Sequence, residues 1–125
     1  MKIKSLFPLT VTHQLDECKQ FYTELFGFEV VFEGDWYIQL RHVRGVEIAL
    51  MKPDLPNQPK FLQAPYSGSG IVYSLEVDDA QSEYDRLKSL NTNFIYGLTD
   101  EEWGQRHFML RDPAGLTIDV VQQMS

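Results

Sequence analysis

The spacing of apolar positions changes along the chain, and each spacing predicts a different element. Alternation over residues 6–11 predicts a strand, whereas apolar side chains at three- and four-residue steps over residues 15–26 predict a helix. Gly27 stands where a left-handed helix cap is needed. Turns at Gly34-Asp35 and Arg44-Gly45 separate three further predicted strands, near residues 28–33, 35–42 and 45–51.

The same order of elements recurs in the second half. A shift of 66 positions places Phe7 on Tyr73 and Phe28 on Phe94, which indicates an internal repeat. The second copy predicts a strand over residues 71–77 and a helix over residues 79–90. Asp78 is expected to cap this helix, with Gln81 at capping-box spacing. Strands are then predicted near residues 94–98, 105–111 and 116–122, with a turn at Asp112-Pro113-Ala114-Gly115.

Two βαβββ modules predict a single α+β domain over residues 1–125. Module 1 covers about residues 1–52 and module 2 about residues 70–125, and a proline-rich linker covers about residues 53–69. We expect a pseudo-two-fold repeat whose mixed sheets curve into a shared cup, with the helices outside. Large first-strand residues are expected beneath the helices: Phe7, Leu9, Val11, Tyr73, Leu75 and Val77. Their neighbours are expected to line the cup: Leu6, Pro8, Thr10, Val72, Ser74 and Glu76.

Composition narrows the function classes. The net charge of −7 argues against nucleic-acid binding, which needs basic surface, and leaves room for cationic ligands. No apolar run approaches the roughly 20 residues that span a bilayer, and the N-terminus does not read as a signal peptide. Cys18 is the one cysteine and is expected to be a small buried apolar residue, so no internal disulfide forms. These features predict a cytoplasmic protein without a membrane partner.

Two segments carry a family resemblance. Residues 21–28, FYTELFGF, resemble the FYxxxLGF block of the vicinal oxygen chelate superfamily, which includes glyoxalases, extradiol dioxygenases and bleomycin-resistance proteins. Residues 103–115, WGQRHFMLRDPAG, resemble its WGxRxFxLxDPxG block, particularly as found in the bleomycin-resistance branch. With the repeat, the resemblance covers nearly the whole chain outside the linker and implies the paired-module fold.

The resemblance also implies where metal ligands would stand. In the metal enzymes of the family they lie on the first and last strand of each module, which here gives Leu6, Ala49, Val72 and Asp119. Only Asp119 has a side chain that can ligate a metal, and a metal site needs three or four donors. We therefore expect neither a metal nor another cofactor.

Several polar residues are candidates for a ligand site. Glu47, Glu76 and Asp119 share one side of the predicted sheets by parity, so they would make the cup acidic. Asp119 either anchors a ligand or pairs with Arg106. Among the three histidines His107 is the best catalytic candidate, although alternation with Phe108 predicts that it points out of the cup.

Aromatic residues near the predicted cup complete the candidate set. In the family such residues stack on planar ligands, and Trp103 lies in the block that does so. Trp36 and Phe108 are further candidates, and the default for aromatic residues is core packing. Arg106 shares strand parity with Phe108, so it either enters the cup or forms a surface ion pair.

Three functions remain open from the sequence. The first is metal-independent binding of a small, partly aromatic molecule, preferably cationic, by Trp103, Phe108, Glu47, Asp119, Arg106 and Trp36. The second is a metal-dependent lyase, isomerase or dioxygenase with a displaced site built from Glu47, His107 and Asp119. The third is a regulatory or scaffold module whose cup is filled by its own side chains. A homodimer is expected, because half-open modules leave sheet edges that a partner would cover.

Overall fold

Each half of the chain folds into a four-stranded mixed sheet with one α-helix, as the repeated βαβββ pattern predicts. The computed structural model describes residues 1–43 and 45–124. They form two compact units, Met1–Ser67 and Gly68–Ser125. The predicted turn residue Arg44 lies outside the described residues.

The first unit contains β1 (Leu9–Val11), α1 (Leu15–Phe26), β2 (Glu29–Glu33), β3 (Tyr37–Arg41) and β4 (Glu47–Met51). The spatial order of its sheet is β1-β4-β3-β2, so β1 lies at an edge, parallel to β4, and the other pairs are antiparallel. Helix α1 begins and ends at the predicted residues, and its apolar stripe of Leu15, Cys18 and Tyr22 is buried. Gly27 caps it in the left-handed region at φ 76°.

The second unit contains β5 (Val72–Glu76), α2 (Ala80–Ser89), β6 (Phe94–Glu101), β7 (Gln105–Arg111) and β8 (Thr117–Gln123). It repeats the arrangement of the first unit in the order β5-β8-β7-β6, with β5 parallel to β8. Strand β6 runs three residues further than the predicted end at residue 98. The turn before β8 is as predicted: buried Asp112 accepts hydrogen bonds from the amides of Ala114 and Leu116, each at 2.9 Å.

The two faces of β1 are the reverse of the prediction. Thr10 pairs with Leu50 and is buried, whereas Leu9 pairs with Ala49 and is 38% exposed. The reason is the register of the repeat. The backbone amide of Thr12 donates to the carbonyl of Met51 in β4, and the amide of Val77 donates to the carbonyl of the equivalent Val121 in β8. Thr12 and Val77 therefore correspond, and they are 65 positions apart, not 66. Because side chains alternate with period two, this one-residue difference exchanges the faces.

The segment predicted as a linker belongs largely to the first unit. It contains a short 3-10 helix, Lys60–Leu62, and the amide of Tyr66 donates to the carbonyl of Val11 at 2.8 Å. Two glutamines hold its backbone. Gln58 donates to the carbonyl of Lys52 at 2.9 Å, and Gln63 donates to the carbonyl of Gln58 at 3.0 Å. No helix within residues 1–43 and 45–124 is long and apolar enough to cross a membrane.

Asp79, not the predicted Asp78, caps helix α2. Its carboxylate accepts a hydrogen bond from the amide of Ser82 at 3.1 Å. We expect Asp79→Ala to lower the free energy of unfolding by about 1 kcal/mol, because the first turn loses an acceptor for one of its amides. Urea unfolding measures the change. Asp78→Ala is the matched control and should leave stability unchanged; an equal loss in both variants would contradict the assignment.

Candidate functional site on the second sheet

Within the described residues of the second unit, helix α2 covers one face of the sheet and no other helix covers the opposite face. Phe108 is fully buried on the covered side, where its ring lies 5.2 Å from that of Tyr84 of α2. Alternation places Gln105, His107, Met109 and Arg111 of β7 on the opposite side. We call this opposite side the helix-free face. Strand pairing assigns to it Val72, Ser74, Glu76, Tyr96, Thr99, Glu101, Gln105, His107, Met109, Arg111, Thr117, Asp119, Val121 and Gln123.

His107 joins three neighbouring strands on this face. Its Nδ1 lies 2.8 Å from Oδ1 of Asp119 on β8, and its Nε2 lies 3.0 Å from Oε2 of Glu101 on β6. Tyr96 donates its hydroxyl to the same Glu101 oxygen at 3.0 Å. The His107 side chain is 5% exposed, and those of Asp119 and Glu101 are 13% and 18% exposed. We call Glu101, His107 and Asp119 the histidine clamp.

The clamp favours a positive charge on His107. An ionised carboxylate only accepts hydrogen bonds, so both ring nitrogens can donate to Glu101 and Asp119 only in the imidazolium form. Burial lowers the pKa of His107, but the hydrogen bonds with Glu101 and Asp119 outweigh it and raise the pKa above the ordinary 6.5. The hydrogen bond from His107 in turn lowers the pKa of Glu101 below the ordinary 4.5. Both shifts favour the state in which His107 is protonated and Glu101 is ionised.

The clamp leaves acceptor capacity at its two ends. One oxygen of Asp119 and one of Glu101 contact the imidazolium, and neither second oxygen has a hydrogen-bond partner among the described residues. Those residues also contain no buried side-chain nitrogen or oxygen that lacks a partner, so each free oxygen keeps some contact with solvent. The face can accept hydrogen bonds from a donor-bearing molecule, most favourably a charged one.

The donors present do not fit a metal ion. Leu6, Ala49 and Val72 offer no ligating atom, and the structural register makes Phe7, not Leu6, the equivalent of Val72. Both nitrogens of His107 are engaged, and Glu101 and Asp119 lie at opposite edges of its ring, so the three cannot converge on one ion. Within residues 1–43 and 45–124 no cluster of three His, Cys, Asp or Glu residues could hold a metal.

Phe108 lies on the opposite side from the prediction, and Arg106 forms the surface ion pair that the sequence left open as one alternative. Phe108 is core beneath α2, so it is not a wall of the helix-free face. Arg106 shares its side and forms two hydrogen bonds with Asp100, at 2.6 and 3.0 Å. The hydrogen bond from Arg106 lowers the pKa of Asp100. Arg106 is therefore not the partner of Asp119, and His107 points toward the face from which the prediction excluded it.

Glu47 and Trp36 belong to the first unit. Gln39 donates to Glu47 at 2.6 Å and accepts the hydroxyl of Tyr37 at 2.7 Å, so Glu47 is oriented by a short chain of hydrogen bonds. Burial and then the charge of Glu47 raise the pKa of Tyr37, so its phenol stays protonated. Trp36 is 45% exposed, and its ring lies 6.0 Å from that of Tyr37.

Trp103 occupies the turn between β6 and β7 and is 65% exposed. Its indole nitrogen donates to the side-chain oxygen of Gln105 at 3.0 Å. Sequence reasoning found Trp103 but missed Tyr96, Glu101 and Gln105. The pairing of β6 with β7 could have identified Glu101. If β6 had been predicted to extend far enough to pair with Gln105, Glu101 would have been placed beside His107.

A family model described as the Glyoxalase/Bleomycin resistance protein/Dioxygenase superfamily matches residues 8–120. The chain belongs to this superfamily. The match covers both sheets and confirms the resemblance drawn from the FYTELFGF and WGQRHFMLRDPAG segments.

Several solved structures share the fold at low identity. A glyoxalase/bleomycin resistance protein/dioxygenase from Nocardioides is 20% identical with a TM-score of 0.82, covering 100% of this chain and 87% of that one. A lactoylglutathione lyase from Agrobacterium tumefaciens is 19% identical with a TM-score of 0.72, and the match covers 98% of this chain and 96% of that one. TioX from Micromonospora sp. ML1 is 15% identical with a TM-score of 0.75, and the match covers 98% of this chain and 100% of that one. A search of curated proteins gave no match.

Proposed function

We propose that this superfamily member binds a small, partly aromatic cation on the helix-free face of the second sheet, without a metal ion. The observation that carries the proposal is the histidine clamp. It turns Asp119, the one residue able to ligate at the family's metal positions, into a hydrogen-bonded partner of a cationic imidazolium. The clamp thereby fixes two carboxylates whose free oxygens remain as acceptors.

Charge on the face supports a cationic ligand. Glu76, Glu101 and Asp119 contribute three negative charges, and the imidazolium of His107 offsets one. Arg111, the last residue of β7, lies at the far end of the same row, four residues from His107. The region between His107 and β5 is therefore acidic, and an ammonium or amidinium group there gains charge-assisted hydrogen bonds.

Aromatic rings support a planar ligand. Tyr96 and His107 pack edge to face with ring centroids 5.5 Å apart. Trp103 presents an exposed indole in the turn that joins β6 to β7. A cation over an aromatic face is attracted by the ring quadrupole, which favours cationic over neutral or anionic planar molecules. Glu47 and Trp36 stay predictions as ligand contacts of the first unit.

The metal-dependent enzyme is the weaker alternative. It needs Glu47, His107 and Asp119 as ligands, but both nitrogens of His107 are engaged with carboxylates and Glu47 is engaged with Gln39. A metal would have to displace these hydrogen bonds before it could bind. Metal-independent binding requires no such rearrangement.

Paired acridines test the charge preference. At pH 7, 9-aminoacridine is a planar cation and acridine is its uncharged counterpart, so the two differ chiefly in charge. We expect isothermal titration calorimetry to show at least tenfold tighter binding of 9-aminoacridine, the advantage of a hydrogen bond between charged groups. Equal affinities, or tighter binding of acridine, would contradict the proposal. Raising the salt concentration should weaken the binding of 9-aminoacridine and leave that of acridine unchanged.

A further inference from the structure

Trp103 is held in place although it is largely exposed. The backbone beneath it is fixed: the amide of Gly104 donates to the carbonyl of Glu101 at 3.0 Å, and the amide of Met124 donates to the carbonyl of Gly104 at 2.8 Å. Gly104 has φ 95°, and a Cβ there would lie 3.2 Å from the carbonyl oxygen of Met124. The turn therefore requires glycine and is tied to the end of β8.

Gln105 fixes the side chain itself. Its oxygen accepts the indole N–H of Trp103 at 3.0 Å, and its amide nitrogen donates to the side-chain oxygen of Gln123 at 3.4 Å. Gln105 pairs with Glu101 on one side and Gln123 on the other, so it lies within the helix-free face and two residues from His107. The indole is thus connected to the face by a chain of two hydrogen bonds.

We propose that Gln105 is a positioning residue that holds Trp103 so that only the face of its indole meets a ligand. The inference rests on the proposed function, because it specifies how that ligand is recognised. With the indole N–H already donated to Gln105, Trp103 offers a ligand no hydrogen-bond donor. The ligand class is then a flat or alkylated cation, and an anion that needs a donor is disfavoured.

The positioning role is tested first without ligand. In a Trp36→Phe background Trp103 is the one tryptophan, so time-resolved fluorescence anisotropy reports its motion alone. Gln105→Met keeps the length of the side chain and removes the acceptor, whereas Gln105→Glu keeps an acceptor. We expect a new fast depolarisation in Gln105→Met and none in Gln105→Glu. Unchanged anisotropy in Gln105→Met overturns the proposal.

Ligand titration then tests the consequence for recognition. Losing the preset rotamer should weaken 9-aminoacridine binding by about three- to tenfold in Gln105→Met, the usual cost of ordering one side chain. Gln105→Glu should bind no more weakly than the parent. In a Trp103→Phe background Gln105→Met should have no effect, because phenylalanine has no N–H; an equal loss there overturns the role. If the parent itself does not bind, the proposed function fails, and the anisotropy still decides the positioning role.

Discussion

Replacing His107 with leucine is expected to lower the free energy of unfolding by about 3 kcal/mol, the typical cost of leaving a buried charge without its partner. Glu101 and Asp119 would then face an apolar side chain across positions where the imidazolium now lies 3.0 and 2.8 Å away. Neither carboxylate has another cationic partner among the described residues. The clamp also joins β6, β7 and β8, so its loss weakens the whole sheet.

The loss should depend on pH in a defined direction. The pKa of His107 is raised on folding, so its contribution is complete below the ordinary 6.5 and is lost as pH rises through the folded value. The pKa of Glu101 is lowered, so its contribution is present above the ordinary 4.5 and is lost as pH falls through the folded value. The difference between parent and variant should therefore be greatest between pH 4.5 and 6.5.

Urea unfolding at a series of pH values measures this profile. His13→Leu is the matched control, because the His13 side chain is 60% exposed and lies 3.8 Å from an exposed Asp54. Surface pairs of this kind contribute little, so the control should stay within about 0.5 kcal/mol of the parent at every pH. A His107→Leu variant as stable as the parent at pH 6 would show that the clamp does not form.

Asp119→Asn is expected to weaken 9-aminoacridine binding by about ten- to a hundredfold, the range for losing one hydrogen bond to a charged group. Asparagine keeps an oxygen that can accept from Nδ1 of His107, so the ring should stay in place. What is lost is the negative charge together with the free acceptor, because the amide NH2 of asparagine takes the place of the second oxygen. Acridine, which carries no charge at pH 7, should bind the variant and the parent alike.

The control for this prediction is Asp100→Asn. Asp100 is paired with Arg106 on the side of the sheet that α2 covers, so removing its charge should not change affinity on the other side. Calorimetric titration of both variants separates a local contact from a general effect of net charge. Equal weakening in the two variants would mean that the whole protein's charge, and not Asp119, attracts the cation.

The sequence predicted elements best where a clear period ends at a strong signal. Helix α1 has the predicted bounds because its apolar stripe ends at Gly27, which takes the left-handed conformation that few other residues accept. Strand β7 was also predicted to its ends. Strand β6 was not, because its last residues are polar. Pairing with β7 holds them, through Asp100 with Arg106 and Glu101 with His107.

The site was harder to predict than the fold because alternation does not say which face a helix covers. Phe108 and His107 are neighbours on β7, so assigning one to the ligand face excludes the other. Val120, which pairs with Phe108, and Ile118, which pairs with Leu110, mark this side of the sheet as core. Both apolar residues were readable from the sequence. The contact of Glu101 with His107 depends on the register of β6 against β7, which apolar spacing alone does not fix.

The shared cup, the single domain, the homodimer and the cytoplasmic location stay predictions. They concern the placement of the two units, a second chain or the cell, whereas the clamp concerns three side chains of one sheet. Sequence and structure both single out Asp119. The sequence marked it as the one possible ligating residue, and the structure shows that its carboxylate is hydrogen-bonded to His107.

The most direct test of metal-independent binding is one calorimetric titration of 9-aminoacridine, performed on chelator-treated protein and repeated after equilibration with zinc, nickel, manganese or ferrous iron and desalting. We predict the same affinity in every preparation, with no metal retained by elemental analysis. Binding that appears only after metal loading, with near one metal per chain, would contradict the account and favour a displaced metal site.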